Sequence, residues 1–154
     1  MTTFLRINSA NPDFQLLVQQ LDAYLGALNG EEHTFYNQFN QINTLKYVII
    51  GYEDDIPVGC GAIKPFDETS TEVKRMYVLP THRGQGIAGK ILQELETWSQ
   101  ELGYSATVLE TANDMPDAIG LYEKYGYERI QNYGQYVGMP RSVCMRKDGF
   151  RTIH

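Results

Sequence analysis

The sequence predicts a mixed α/β fold: one sheet with helices packed on it, built as a single domain over residues 1–154. Three observations carry that prediction. Apolar residues recur at helical spacing in separate stretches, and short runs rich in Val, Ile, Tyr and Thr lie between those stretches. Gly, Pro and Asp fall at the junctions, where turns are needed.

In chain order, Thr3 to Asn8 has the composition of a first strand. Asn11-Pro12-Asp13 offers capping chemistry ahead of Phe14, Leu17, Val18, Leu21 and Leu25, which share one helix face. Gly30-Glu31-Glu32 separates this helix from a second one expected near His33 to Phe39. Leu45 to Glu53 reads as a strand, Asp54-Asp55-Ile56-Pro57 as a turn, and Val58 to Lys64 as the hairpin partner. Glu72 to Val78 is a further strand, stopped by Leu79-Pro80. From Gly86 to Leu102, the residues Ile87, Ile91, Leu95, Trp98 and Leu102 make an apolar stripe, with Gln93, Glu94, Glu96 and Glu101 expected mostly elsewhere. Ala106 to Glu110 is a short strand. Pro116 opens a helix reaching about Tyr125, and Tyr127–Ile130 and Ser142–Lys147 are the last strands.

Composition narrows the function. A net charge of -6 argues against a nucleic-acid partner, because a binder of phosphates must bring positive charge to them. An acidic surface suits a cationic acceptor such as an amine better. The opening Met1–Arg6 lacks the long apolar stretch of a signal peptide, and Tyr47–Ile50 is strand-sized, so a cytoplasmic protein with no membrane partner is expected. Cys60 and Cys144 sit far apart in apolar runs and read as buried free thiols. His33, His82 and His154 show no metal-ligand spacing, so no metal is expected.

The chemistry concentrates in Arg83-Gly84-Gln85-Gly86-Ile87-Ala88-Gly89, at the start of the most amphipathic helix. A helix start presents N–H groups with no partner in the helix and the positive end of its dipole. Glycines let an anion approach those groups, and Arg83 adds charge, so a phosphate or pyrophosphate site is predicted. A tight turn with no ligand is the plain alternative. Gly84-x-Gly86-x-x-Gly89 also spells the dinucleotide fingerprint, with Glu110 near the distance of a ribose contact. The five residues after the strand, Leu79–Arg83, and the charged strand itself are the wrong context for NAD(P). Gly84-x-x-x-x-Gly89-Lys90 approaches a phosphate loop, but Ile91 stands where a hydroxyl would hold magnesium.

The run Glu72-Val73-Lys74-Arg75-Met76-Tyr77-Val78-Leu79-Pro80, followed by Arg83-Gly84-Gln85-Gly86-Ile87-Ala88, resembles the central motif of the GNAT superfamily of N-acetyltransferases. Ala118-Ile119-Gly120-Leu121-Tyr122-Glu123-Lys124-Tyr125-Gly126-Tyr127 resembles that superfamily's late helix and the turn after it. The resemblance implies a mostly antiparallel, twisted sheet of six to seven strands with a V-shaped splay and helices on both faces. It implies acetyl-CoA as cosubstrate and acetyl transfer to a primary amine, on a small molecule or a peptide, by direct attack in a ternary complex. A non-catalytic acyl-CoA-binding or sensing domain is the alternative, and a homodimer is left open. By the same resemblance, the backbone of Met76, Tyr77 and Val78 holds the pantetheine arm, and Arg83, Gly84, Gln85, Gly86, Ile87, Ala88 and Gly89 wrap the pyrophosphate. Glu72 matches the position of a general base and Tyr122 that of the general acid. Met115 departs from the family's Asn, with Asn113 or Asp114 as substitutes for a coenzyme contact. Tyr24, Phe35, Tyr36 and Phe39 are candidates for the acceptor pocket. Tyr133, Tyr136 and the run to Pro140 are candidates for a mobile lid.

Overall fold

A computed structural model describes residues 1–29 and 45–149; the helix expected at His33–Phe39, with Phe35, Tyr36 and Phe39, lies outside them. The described elements are β1 (Thr2–Ile7), α1 (Pro12–Asn29), β2 (Tyr47–Glu53), β3 (Ile56–Pro65), β4 (Ser70–Val78), α2 (Ile87–Glu101), β5 (Ala106–Ala112), α3 (Pro116–Lys124), β6 (Glu128–Ile130) and β7 (Ser142–Asp148). The seven strands form one sheet in the order β1-β2-β3-β4-β5-β7-β6. Strands β1/β2, β2/β3, β5/β7 and β6/β7 pair antiparallel, and β4/β5 pair parallel. The sheet is therefore mixed and mostly antiparallel.

Local chemistry sets the boundaries. Asn11 caps α1, its Oδ1 accepting from the N–H groups of Asp13 (2.9 Å) and Phe14 (3.1 Å), with Pro12 in the first turn, where a missing N–H costs nothing. The β2–β3 turn is shorter than the sequence suggests. Asp54 and Asp55 alone make it, at φ 50 and 68, and Ile56 and Pro57 already belong to β3. Two positive φ values are what a two-residue turn needs to match strand twist. β4 also starts earlier than expected, at Ser70, because its first residues pair with β5.

By backbone contacts the chain divides into two compact units, residues 1–64 with 74–95, and 65–73 with 96–154, with β4 and α2 contributing to both. In the first unit, Phe14, Leu17, Val18 and Leu21 of α1 are buried against Val48 and Ile50 of β2, Cys60 and Ala62 of β3, and Tyr77 of β4. Each of the Phe, Leu, Val and Ile side chains contributes roughly 1.5–3 kcal/mol through its removal from water. On the other face of β3, a Cβ at Gly61 would meet Met76 Sδ at 2.5 Å, Ile91 at 2.9 Å and Leu95 at 3.0 Å, so α2 packs where β3 has no side chain. In the second unit, β5 pairs with β7 from Ala106↔Asp148 to Ala112↔Ser142. Its interior holds a polar network. Tyr127 donates to Glu96 Oε2 (2.8 Å) and shares a 2.6 Å bond with Thr107, while Lys147 Nζ donates to Glu96 Oε1 (2.8 Å). Glu96 is thus buried and paired, contrary to the solvent-facing position its helical spacing suggests.

Cys60 and Cys144 are buried and free. Among the described residues no helix is long and apolar enough to cross a membrane.

Candidate functional site

In the first unit the glycine segment is shaped by its own backbone. β4 ends at Val78, a short 3-10 turn spans Pro80–His82, and α2 begins at Ile87. Gly84 and Gly86 stand between them at φ 80 and 81. That left-handed region costs an L-residue ~1–2 kcal/mol, so glycine is the residue the turn asks for. A Cβ placed on either glycine meets nothing within 4 Å, which leaves the outer face of the bend open to a ligand. The first helical bond of the segment runs from Lys90 N–H to Gly86 O (3.1 Å). The N–H groups of Ile87, Ala88 and Gly89 precede it and have no acceptor four residues back within the helix. Ile87 itself is anchored, 3% exposed, its Cγ2 3.2 Å from where Gly59 would carry a Cβ. Gln85 is exposed, as a residue contributing only its backbone can be.

Arg83 does more locally than its charge suggests. Its Nε donates to Val78 O (2.9 Å), and its guanidinium lies 5.6 Å from the Tyr77 ring centroid and 5.7 Å from that of Tyr24. The arginine ties the bend back to the end of β4 while Tyr24 reaches it from α1, so Tyr24 sits beside the glycine segment. His82 adds a second tie, Nε2 to Glu53 Oε2 at 3.2 Å. The open glycines, free helix donors and adjacent arginine make this segment chemically suited to a diphosphate.

β4 carries an irregularity that bears on Glu72. Arg75 takes φ 59, the left-handed region, within the strand. Thr71 Oγ1 bonds Ser99 of α2 at 2.8 Å, and Met76 faces Gly61 beside Ile91 and Leu95 of α2. Thr71 and Met76 therefore point toward the same helix, although strict alternation puts residues an odd number apart on opposite faces. The bulge at Arg75 resets the alternation, leaving Glu72 on the face away from α2. Arg75 is buried and ion-paired with Asp22 of α1, and among the described residues its Nε finds no hydrogen-bond partner. Pairing of β4 with β5 runs from Ser70↔Ala106 to Glu72↔Val108 and stops there.

In the second unit Glu72 is 3% exposed and accepts a 2.7 Å bond from the Tyr133 hydroxyl. It is a buried, hydrogen-bonded carboxylate, not a solvated strand-end residue. Tyr122, on α3, is 7% exposed, with its ring edge-on to Tyr127 at 5.8 Å. Burial pushes its hydroxyl well above the ordinary tyrosine range, and the negative charge of Glu110 pushes it further the same way. It therefore carries its proton at any physiological pH. Glu110, which accepts from Ser142 Oγ at 2.8 Å, had no sequence signal for this influence.

Asn113 Nδ2 donates to Pro140 O (3.1 Å), and Asp114 pairs with Arg141 (3.3 Å). The 131–141 segment, which holds the candidate lid, is bonded within itself. Tyr136 is 1% exposed, Asn132 Nδ2 donates to the carbonyls of Tyr136 (3.2 Å) and Met139 (3.1 Å), and Tyr136 N–H donates to Tyr133 O (2.9 Å). Among the described residues no group of three or more His, Cys, Asp or Glu side chains is arranged to hold a metal ion.

The family model for acetyltransferases (GNAT family) matches residues 14–127, from α1 through the α3–β6 turn. The chain belongs to the GNAT acetyltransferase family. Among GNAT relatives, an IAA acetyltransferase of Azospirillum brasilense is 35% identical over 136 residues, covering 85% of this chain and 87% of its own. A solved structure from Klebsiella pneumoniae, assigned to the acyl-CoA N-acyltransferases, superposes with a TM-score of 0.80 at 30% identity. That match covers 96% of this chain and 97% of the other. A GNAT acetyltransferase from Elizabethkingia anophelis, solved with acetyl-CoA bound, shares the fold at a TM-score of 0.66 and 18% identity, covering 96% and 97% of the two chains. The chain is accordingly an acyl-CoA-dependent acetyltransferase with the GNAT fold.

Proposed function

We propose that this acetyltransferase, acting as one domain, uses acetyl-CoA and transfers the acetyl group to a primary amine by direct attack in a ternary complex. The observation that carries the reading is the bend at Gly84 and Gly86, both left-handed and open where a side chain would begin, at the head of α2. That bend fits a diphosphate on chemistry alone, and the bound acetyl-CoA of the Elizabethkingia relative supports naming it. In this reading the N–H groups of Ile87, Ala88 and Gly89 and the backbone of Gly84–Gly86 hold the pyrophosphate. Arg83 fixes the bend and adds positive charge. The backbone of Met76, Tyr77 and Val78 holds the pantetheine arm; Val78 O, already accepting from Arg83, is the least available of these.

Acetyl-CoA supplies an activated thioester; the chain supplies proton handling. An alkyl amine has a pKa near that of lysine, about 10.4, so a base must take a proton before the nitrogen lone pair is free. Glu72 is assigned that role, directly or through water, since the bulge at Arg75 turns it away from α2. The departing thiolate needs a proton, and Tyr122, whose raised pKa keeps its hydroxyl intact, is assigned as donor. Asn113 is assigned a coenzyme contact through its side-chain Oδ1, since its Nδ2 donates to Pro140 O and its N–H to Arg141 O.

The test is acetyl transfer across a panel of amines, with a thermal-shift comparison of coenzyme A against NAD. A ligand of the folded state raises the melting temperature, so a response to coenzyme A and none to NAD is expected. Stabilisation by NAD alone refutes the reading.

A further inference from the structure

Tyr133 is held where a positioning group needs to be. Its hydroxyl donates to Glu72 Oε2 at 2.7 Å across 61 residues of sequence. Its ring is fixed edge-on between Phe66 (4.7 Å) and Tyr136 (5.8 Å). Tyr136 is sealed in the core and bonded through its N–H to Tyr133 O, while Asn132 closes the loop on itself. A carboxylate taken almost wholly out of water is costly unless donors replace the water it lost. Burial and the Glu72 charge push the Tyr133 hydroxyl far above the ordinary tyrosine range, so in this pair tyrosine can only give the hydrogen.

Resting on the assignment of Glu72 as base, we propose that Tyr133 is its positioning residue, with the hydroxyl holding the carboxylate in one orientation for proton abstraction. The segment 131–141 is then part of the catalytic apparatus, a seat for the base.

The experiment is a double-mutant cycle with Tyr133→Phe, which keeps the ring and its packing, and Glu72→Gln. Thiol release from acetyl-CoA is followed with the most reactive amine of the panel, or with water where no amine reacts. Tyr133→Phe is expected to lower kcat about tenfold, the loss of one hydrogen bond to a charged group, and to leave the KM for acetyl-CoA within twofold. In the Glu72→Gln background the same substitution is expected to change nothing. Tyr133→Phe matching wild type while Glu72→Gln loses activity overturns the positioning role and leaves the base in place. Equal losses from Tyr133→Phe in both backgrounds overturn it as well. Wild-type activity in Glu72→Gln, or no thiol release by the wild-type protein, overturns the base assignment itself and this inference with it.

Discussion

Gly86 separates backbone conformation from charge in the coenzyme cradle, and two substitutions there read the two effects apart. At φ 81, with nothing within 4 Å of an added Cβ, Gly86→Ala meets strain but no clash. The left-handed conformation costs an L-residue ~1–2 kcal/mol. For a chain this size that lowers the melting temperature by about 2–4 °C per kcal/mol. Gly86→Glu carries the same strain and adds a negative charge at the open bend. At a separation of about 6 Å, one unit charge repels another by roughly 0.7 kcal/mol in water and roughly 2.8 kcal/mol at an effective dielectric of 20. Gly86→Glu should therefore bind acetyl-CoA about 3-fold to 100-fold more weakly than Gly86→Ala for each phosphate charge it faces. Isothermal titration of acetyl-CoA gives the affinities, and thermal unfolding without ligand gives the strain. Added salt should narrow the gap if the repulsion is solvent-screened. Equal affinity in the two variants, with equal melting temperatures, would refute a diphosphate at this bend.

Tyr122→Phe keeps a buried ring and removes the assigned proton donor. Initial-rate kinetics should show a fall in kcat of about 10²-fold with little change in acetyl-CoA KM, a general-acid effect. Tyr127→Phe strands Glu96 Oε2 and Thr107 Oγ1 in the interior, so urea titration should show a loss of ~1–3 kcal/mol for each group left without its bond. Burial pushes the Cys60 thiol from 9.0 up to about 12. The unfolded chain therefore releases this proton first as pH rises. Stability is constant with respect to it below pH 9 and falls between pH 9 and 12, by up to ~1.4 kcal/mol per pH unit. Denaturant midpoints should decline from about pH 9 in the wild-type protein and more gently in Cys60→Ala.

Elements whose residues repeat with one period were legible from sequence. The stripe Ile87, Ile91, Leu95 gave α2 to within a residue at either end, and Asn11-Pro12 marked the start of α1. The glycine bend was legible because glycine marks positions where the backbone takes the left-handed conformation. Arg75 shows the converse: a left-handed residue with a side chain leaves no trace in composition, so a bulge that turns Glu72 is suggested by the family resemblance and its position is not. Glu96 shows another limit. Its place on the helix marks it as surface, and only the distant Tyr127 and Lys147 offset the cost of its burial. The seating of Tyr133 on Glu72 and the engagement of Asn113 by Pro140 are likewise long-range, and no local pattern announces them. The loop read as a candidate lid is pinned by Tyr136, whose aromatic character fits core and surface equally well.

The left-handed residue in β4 makes that strand behave like a text with one inserted letter. Upstream of Arg75 the odd-numbered positions look toward α2, as Thr71 does; downstream the even-numbered ones do, as Met76 does. Straightening Arg75 into extended backbone with no residue removed would impose one uniform alternation on the strand, and one half would have to show its neighbours the wrong set of side chains. Either Glu72 would turn in against the helix or Tyr77 would leave the apolar cluster it shares with Phe14. Removing Arg75 itself would leave Thr71 and Met76 four residues apart and both halves in phase, so the offset resides in that one inserted residue.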